Sequence, residues 1–257
     1  MKRRPPTALL AAGNVTASSV LRSASVRESL GPVKAASLRV ASRVVNLLRA
    51  GHAVEDFEEI NECKVILAVA PRERTGALLE ELRGSGMKLK NKYIVICGDG
   101  ALPDPAGMRV ARVREAAGFE GRWYVMDGNR EAAADLRRIL GPGVRLTILE
   151  GDATPLWDAA QALLERGLIA VSAAADDCLR RLSIAPAHTD ELVERAFDCA
   201  VRAWMRGKRR VALPPLDDMD AQMKALRAVN PELAEWFAAV MAGPEAFLGA
   251  PSGSDTQ

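Results

Sequence analysis

The chain has 257 residues, 49% of them hydrophobic and 26% charged, with 35 basic against 33 acidic side chains. That composition supplies a substantial core and excludes a disordered chain, while a formal net charge of +2 builds no field suited to nucleic acid or an anionic membrane. Aromatic residues, at 4%, are too few for base-stacking platforms, and the cysteines (Cys63, Cys97, Cys178, Cys199) stand singly, against a disulfide scaffold or a CxxC metal site.

The amino terminus, Met1-Lys-Arg-Arg-Pro-Pro, is basic, but the apolar run from Thr7 to Ala12 is shorter than the core of a secretory signal. No stretch approaches the roughly 18–20 apolar residues that span a bilayer. A soluble cytoplasmic protein is expected, in keeping with unpaired cysteines.

The pattern of the first 150 residues alternates short apolar runs with helix-like ones. Thr7–Ala11 reads as a strand, closed by Gly13 and followed by a helix-compatible stretch from Val15 to Ser23. Val33–Leu38 reads as a second strand, before an amphipathic Ser42–Arg49. Lys64–Ala70 (KVILAVA) has the apolar, partly β-branched character of a buried strand and is stopped by Pro71; Arg74–Arg83 is helical, and Lys92–Cys97 (KYIVIC) is buried again. Trp123–Met126 and Arg145–Leu149 flank a charged helix, Arg130–Leu140. Continuous apolar strands alternating with helices specify an α/β fold whose parallel sheet is covered on both faces.

From Thr154 onward the β signal disappears. Leu164, Leu168, Val171, Ala175, Cys178 and Leu182 recur at helical spacing, as do Leu192, Ala196, Cys199 and Ala203 beyond Pro186. Further helical runs cover Met219–Ala228 and the segment from Pro231. The expected organisation is an α/β domain over residues 1–150, an all-helical domain over 151–249 that binds substrate and dimerises, and a flexible tail, 250–257. The breadth of the apolar stripes points to a homodimer.

The first strand-to-helix turn is where such a fold binds phosphate, through unpaired backbone N–H groups. Here it reads Ala11-Ala12-Gly13-Asn14-Val15-Thr16, retaining only the central glycine of G-x-G-x-x-G; Asn14, Thr16 and Ser18 offer compensating donors. An NAD site places a carboxylate about 20 positions further on, for the ribose hydroxyls. Between Ser29 and Val54 there is no Asp or Glu; Lys34, Arg39, Arg43 and Arg49 stand there instead, with Ser37 and Ser42 near the strand end. If a dinucleotide binds, this favours a 2′-phosphate, hence NADP; a solvated basic helix face explains the same residues.

The segments AAGNV (Ala11–Val15), VASR (Val40–Arg43), KVILAVAP (Lys64–Pro71), VICGDGAL (Val95–Leu102) and YVMDGN (Tyr124–Asn129) follow one another in an order that resembles the Rossmann-plus-helical-domain reductases. That group contains pyrroline-5-carboxylate reductase, ketopantoate reductase and 6-phosphogluconate dehydrogenase, with many NADP-dependent oxidoreductases of unassigned substrate. The resemblance runs from about Thr7 to Ala242. It implies a Rossmann-like domain followed by a helical one, and an NADP-dependent oxidoreductase acting on a small molecule in the cleft between them. It matches Ala12, Gly13, Asn14 and Val15 to the pyrophosphate loop. Ser42 and Arg43, with Ser37 and Arg39, fall in the 2′-phosphate region, and Val69, Ala70 and Pro71 in the turn beside ribose and nicotinamide. The strand end at Gly98-Asp99-Gly100 would complete the nicotinamide frame.

Hydride transfer needs a positioned acid or base. Several members of the group take a lysine from the first long helix of the second domain, but from Thr154 to Leu182 this chain has no Lys and no His. Asp176/Arg180 and Asp177/Arg181 have the i,i+4 spacing of surface ion pairs; the functional alternative is that Ser172 and Asp176 share a face toward substrate. His52 is expected in a loop and His188 near a helix start, neither placed by sequence near Gly13. No catalytic residue is assigned, and a second class stays open: a non-catalytic Rossmann module that binds a nucleotide or a partner protein. No metal site is expected. The acidic run Asp217-Asp218-Met219-Asp220 reads as helix capping, and the basic cluster from Met205 to Arg210 as a contact within the protein or between subunits.

Overall fold

The computed structural model describes residues 5–98, 102, 107–116, 118, 119, 121–151, 153–182, 184–207 and 218–248. The chain divides into two compact units, at Glu165/Arg166.

In the first unit the strands are β1 (Thr7–Ala11), β2 (Leu30–Ala35), β3 (His52–Ala53), β4 (Val65–Val69), β5 (Tyr93–Cys97), β6 (Arg109–Glu115), β7 (Trp123–Gly128) and β8 (Arg145–Ile148). Among the described residues they form one eight-stranded sheet, ordered β3-β2-β1-β4-β5-β6-β7-β8. Every pair is parallel except β6 with β7. The order reverses at β1, and the carboxyl ends of β1, β2 and β4 therefore open the crevice where this class of sheet takes ligands.

Side chains alternate across the sheet with period two. Leu9, Leu67 and Val95 enter one core with Val20, Leu21, Val44, Leu48, Leu136 and Ile139; Ala8, Leu10, Ile66, Ile94 and Ile96 enter the other with Ile60, Leu78, Leu79 and Leu82. The helices that cover the two faces are α1 (Ser19–Arg22), α2 (Ala24–Ser29), α3 (Leu38–Leu48), α4 (Glu58–Asn61), α5 (Thr75–Gly84) and α6 (Ala133–Leu140); α7 (Ala153–Ala162) follows β8 and buries no side chain.

Three sequence expectations need correction. The helix expected from Val15 to Ser23 is a 3₁₀ turn, Val15–Ala17, followed by the short α1 and α2, with Ser18 and Ser23 extended between them. The buried positions Val15, Val20, Leu21 and Val26 are spaced by five, one and five, which no single helix face satisfies. The second strand starts at Leu30 and ends at Ala35, and Leu38 already opens α3 behind the N-cap Ser37. β6 carried no apolar-run signal because Arg112 and Arg114 occupy one of its faces. Arg112 donates to Asp127 (3.1 and 2.5 Å), Arg114 pairs with Asp158 of α7, and the Thr154 hydroxyl of α7 donates to Asp127 (2.8 Å).

In the second unit α8 (Leu168–Arg181) packs against α9 (Pro186–Gly207), and α10 (Met219–Val229) against α11 (Pro231–Leu248). Leu164 falls in a π-helical turn, Leu163–Gly167, so the helical stripe begins at Leu168. Asp218 caps α10 by accepting from the Ala221 amide (2.9 Å), which accounts for part of the acidic run; Asp217, Lys208, Arg209, Arg210 and the tail lie outside the described residues. Among the described residues from Arg166 on, only Thr189, Met223 and Ala234 are buried, while Ile169, Leu182, Val201 and Met205 are each more than half exposed. Among the described residues no helix is long and apolar enough to cross a membrane.

Candidate functional site

At the carboxyl ends of β1 and β2 lies a hollow of about 250 Å³. Its walls are the turn Leu10–Gly13, the β2 end with Lys34, Ala35 and Ala36, Val40 of α3, Phe57, Arg74 of the turn after β4, and Leu78 and Glu81 of α5.

The turn is held tightly to β4. The Ala12 amide donates to the Val69 carbonyl at 2.8 Å, and a Cβ added at Gly13 would stand 2.8 Å from Pro71 Cδ and 3.3 Å from Ala70 Cα. Glycine is therefore required at position 13 by the approach of Pro71, whatever ligand binds. The Asn14 side-chain oxygen accepts from the Thr16 amide (3.1 Å) and the Thr16 hydroxyl (2.6 Å), so two of the expected compensating groups satisfy each other. The Gly13 and Asn14 amides have no hydrogen-bond partner among the described residues. Ser18 Oγ is buried without a partner. Val15 is 4% exposed and belongs to the core, as does Val69. The 3₁₀ turn behind Gly13 has too few peptide units to build a helix dipole, so the unpaired amides are what this turn offers an anion.

Along α3, Ser37 Oγ accepts from the Val40 amide (3.3 Å) and Ser42 Oγ donates to the Leu38 carbonyl (2.8 Å). Arg39 and Arg43 are exposed, and neither lines the hollow. The cations that do are Lys34 and Arg74, of which Arg74 was not singled out in the sequence. It stands three residues beyond the strand-ending Pro71, on the strand edge where ligands collect, and that position was its legible signal. Lys34 Nζ donates to the Glu55 carbonyl (2.8 Å) and sits 4.8 Å from the centre of the Phe57 ring. β2 and α3 carry no Asp or Glu, and the carboxylate that lines the hollow is Glu81 of α5.

At the β5 end, burial pushes the Cys97 thiol up to about 12. Gly98 has φ +119° and open space where a side chain would stand; Asp99 and Gly100 lie outside the described residues. The proton-donor candidates each stand in a local setting of their own. His52 lies on an edge strand, not in a loop, with Nε2 2.6 Å from Glu59; His188 is exposed in the first turn of α9. Ser172 donates to the Leu168 carbonyl (2.8 Å), and the pairs Asp176–Arg180 (2.6 Å) and Asp177–Arg181 (3.0 Å) form as helix-surface spacing implies. Among the described residues no group of three His, Cys, Asp or Glu is set to hold a metal ion.

The donor set fits an NADP coenzyme: unpaired amides at the first turn, Lys34 and Arg74 on the hollow's walls, and no Asp or Glu on β2 or α3. No protein-family model and no curated protein matches the chain. Solved structures do match its fold. A protein assigned as an NADP oxidoreductase from Bacteroides fragilis aligns with TM-score 0.70 at 14% identity, over 96% of this chain and 98% of that one. A pyrroline-5-carboxylate reductase from Coxiella burnetii aligns with TM-score 0.59 at 11% identity, over 96% and 98%. An imine reductase from Myxococcus stipitatus in complex with NADP+ aligns with TM-score 0.63 at 15% identity, over 95% and 92%. At these identities the likeness shows a shared architecture: the chain has the Rossmann-like-plus-helical fold of these oxidoreductases.

Proposed function

We propose that the protein is an NADP-binding oxidoreductase acting on a small molecule. The observation that carries this reading is the unpaired amide of Gly13, which lines a hollow with Lys34 and Arg74 on its walls, and the unpaired amide of the adjacent Asn14. The imine reductase of the same fold solved with NADP+ supports it.

In this reading the bound coenzyme supplies the two electrons of a reduction, and the chain does the rest. The Gly13 and Asn14 amides would donate to pyrophosphate oxygens, on a turn that the Ala12 bond to Val69 holds in place. Ser37, Arg39, Ser42 and Arg43, on the N-cap and first turns of α3 after β2, would add hydrogen bonds and positive field toward the 2′-phosphate. Ala70 and Pro71, with the backbone of Val69, would hold the ribose on the nicotinamide side. A screen of imines, keto acids and hydroxy acids, followed at the nicotinamide absorbance band, tests the catalytic part. Turnover of one class with NADPH is the expected result, and coenzyme binding without turnover of any class contradicts it.

One observation favours a second reading. The shortened helix behind Gly13 suits a nucleotide-binding module without chemistry of its own; coenzyme bound without turnover selects it. We further propose a homodimer built through the helical unit, whose described residues bury few side chains of their own, and a cytoplasmic location, which four unpaired cysteines suit.

A further inference from the structure

We infer that Arg74, on the turn after β4, is the residue that reads the coenzyme's 2′-phosphate; the inference rests on the NADP reading above. A phosphate dianion is held best by a cation whose N–H donors are free to turn toward it. Lys34 is already committed to the Glu55 carbonyl and the Phe57 ring. Arg39 and Arg43 do not reach the walls of the hollow.

Arg74 does line it, is exposed, and has no ion pair or side-chain hydrogen bond among the described residues. Its backbone, by contrast, is fixed. The Arg74 amide donates to the Pro71 carbonyl at 2.9 Å, the Thr75 hydroxyl donates to the same oxygen at 3.1 Å, and the Pro71 ring rests against Gly13. A free planar fork on a backbone tied to the phosphate-binding turn is a geometry suited to bidentate phosphate recognition. Glu81, the acid on the same wall, lies about two helical turns further along α5 and leaves the Arg74 end positive.

Adenosine 2′,5′-bisphosphate and 5′-AMP differ only in the phosphate at issue, so calorimetric titration of each into the full chain isolates it. The wild type is expected to prefer the bisphosphate. Arg74→Ala should weaken the bisphosphate about tenfold while leaving 5′-AMP within about twofold, and Arg74→Lys should fall between, because an ammonium keeps the charge but not the fork. Because Arg74 is exposed and buries no core, the melting temperature should be unchanged. An unchanged preference in Arg74→Ala, with the loss appearing in Arg39→Ala or Arg43→Ala, overturns this assignment and leaves the NADP reading intact. A wild type that does not distinguish the two nucleotides overturns it as well; failure to bind NADPH at all removes both.

Discussion

The chemistry at Gly13 turns on a single missing methyl group. Because an added Cβ would press on Pro71 Cδ at 2.8 Å, Gly13→Ala must displace the end of β4 or the turn itself. A loss of about 1–3 kcal/mol in stability is expected, together with weaker coenzyme binding. Pro71→Ala in the same chain should recover part of both, as thermal melts and NADPH titration of the single and double variants would show. Equal losses in the single and double variants would mean that Pro71 is not the obstacle. Ser18 makes the opposite case. Its buried hydroxyl has no partner, so Ser18→Ala should be neutral or stabilise by up to about 1 kcal/mol in denaturant unfolding, where loss of a buried hydrogen bond would cost that amount. Of these residues the sequence displayed Gly13 and its turn, but not why glycine is needed: Pro71 is 58 positions away, and the contact comes into being only when β1 and β4 pair. Arg39 and Arg43 were visible as charge, yet charge alone does not say which side of α3 it occupies.

Elements were legible where burial was apolar and hidden where it was polar. β1, β4 and β5 are uninterrupted apolar runs and emerge with their expected cores of residues. β6 buries arginines, and α7 reaches it through Asp158 and Thr154, a pairing no local pattern encodes. Burial would raise the Asp127 carboxyl, but hydrogen bonds from Arg112 and Thr154 and the nearby Arg112 and Arg114 charges outweigh it and hold it below the ordinary carboxylate range. A depressed native value means that this group stabilises the fold above its unfolded pKa, near 4, and that the contribution fades as pH falls through the lower native one. Asp127→Asn should therefore cost about 1–3 kcal/mol at neutral pH by removing the carboxylate that Arg112 and Thr154 donate to, while Arg114 keeps Asp158. It should also flatten the decline in stability below about pH 4. Urea unfolding at pH 7 and pH 3 checks both; a variant as stable as the wild type at pH 7 would show the network to be dispensable.

At the scale of the whole molecule the switch from α/β to helical texture was plain in the sequence, whereas the division at Glu165/Arg166 assigns α7 to the sheet-bearing unit. The helical unit leaves Ile169 and Leu182 about 70% exposed and carries apolar grooves beside α8. Sedimentation at micromolar concentration is expected to give twice the 27.6 kDa chain mass, with Ile169→Asp or Leu182→Asp shifting it toward the monomer. A wild-type monomer would contradict the proposed dimer. The cysteines divide in the same way: Cys199 is exposed and should react first with a thiol reagent, while burial raises both Cys63 and Cys97 and keeps them slow until the fold opens.

The most direct test of the redox reading is calorimetric titration of the wild-type chain with NADPH and NADH in the same buffer. Two free amides and a cation-walled hollow predict micromolar binding of NADPH and roughly tenfold weaker binding of NADH. Heat from neither coenzyme at millimolar concentration would leave the architecture standing and contradict the function assigned to it.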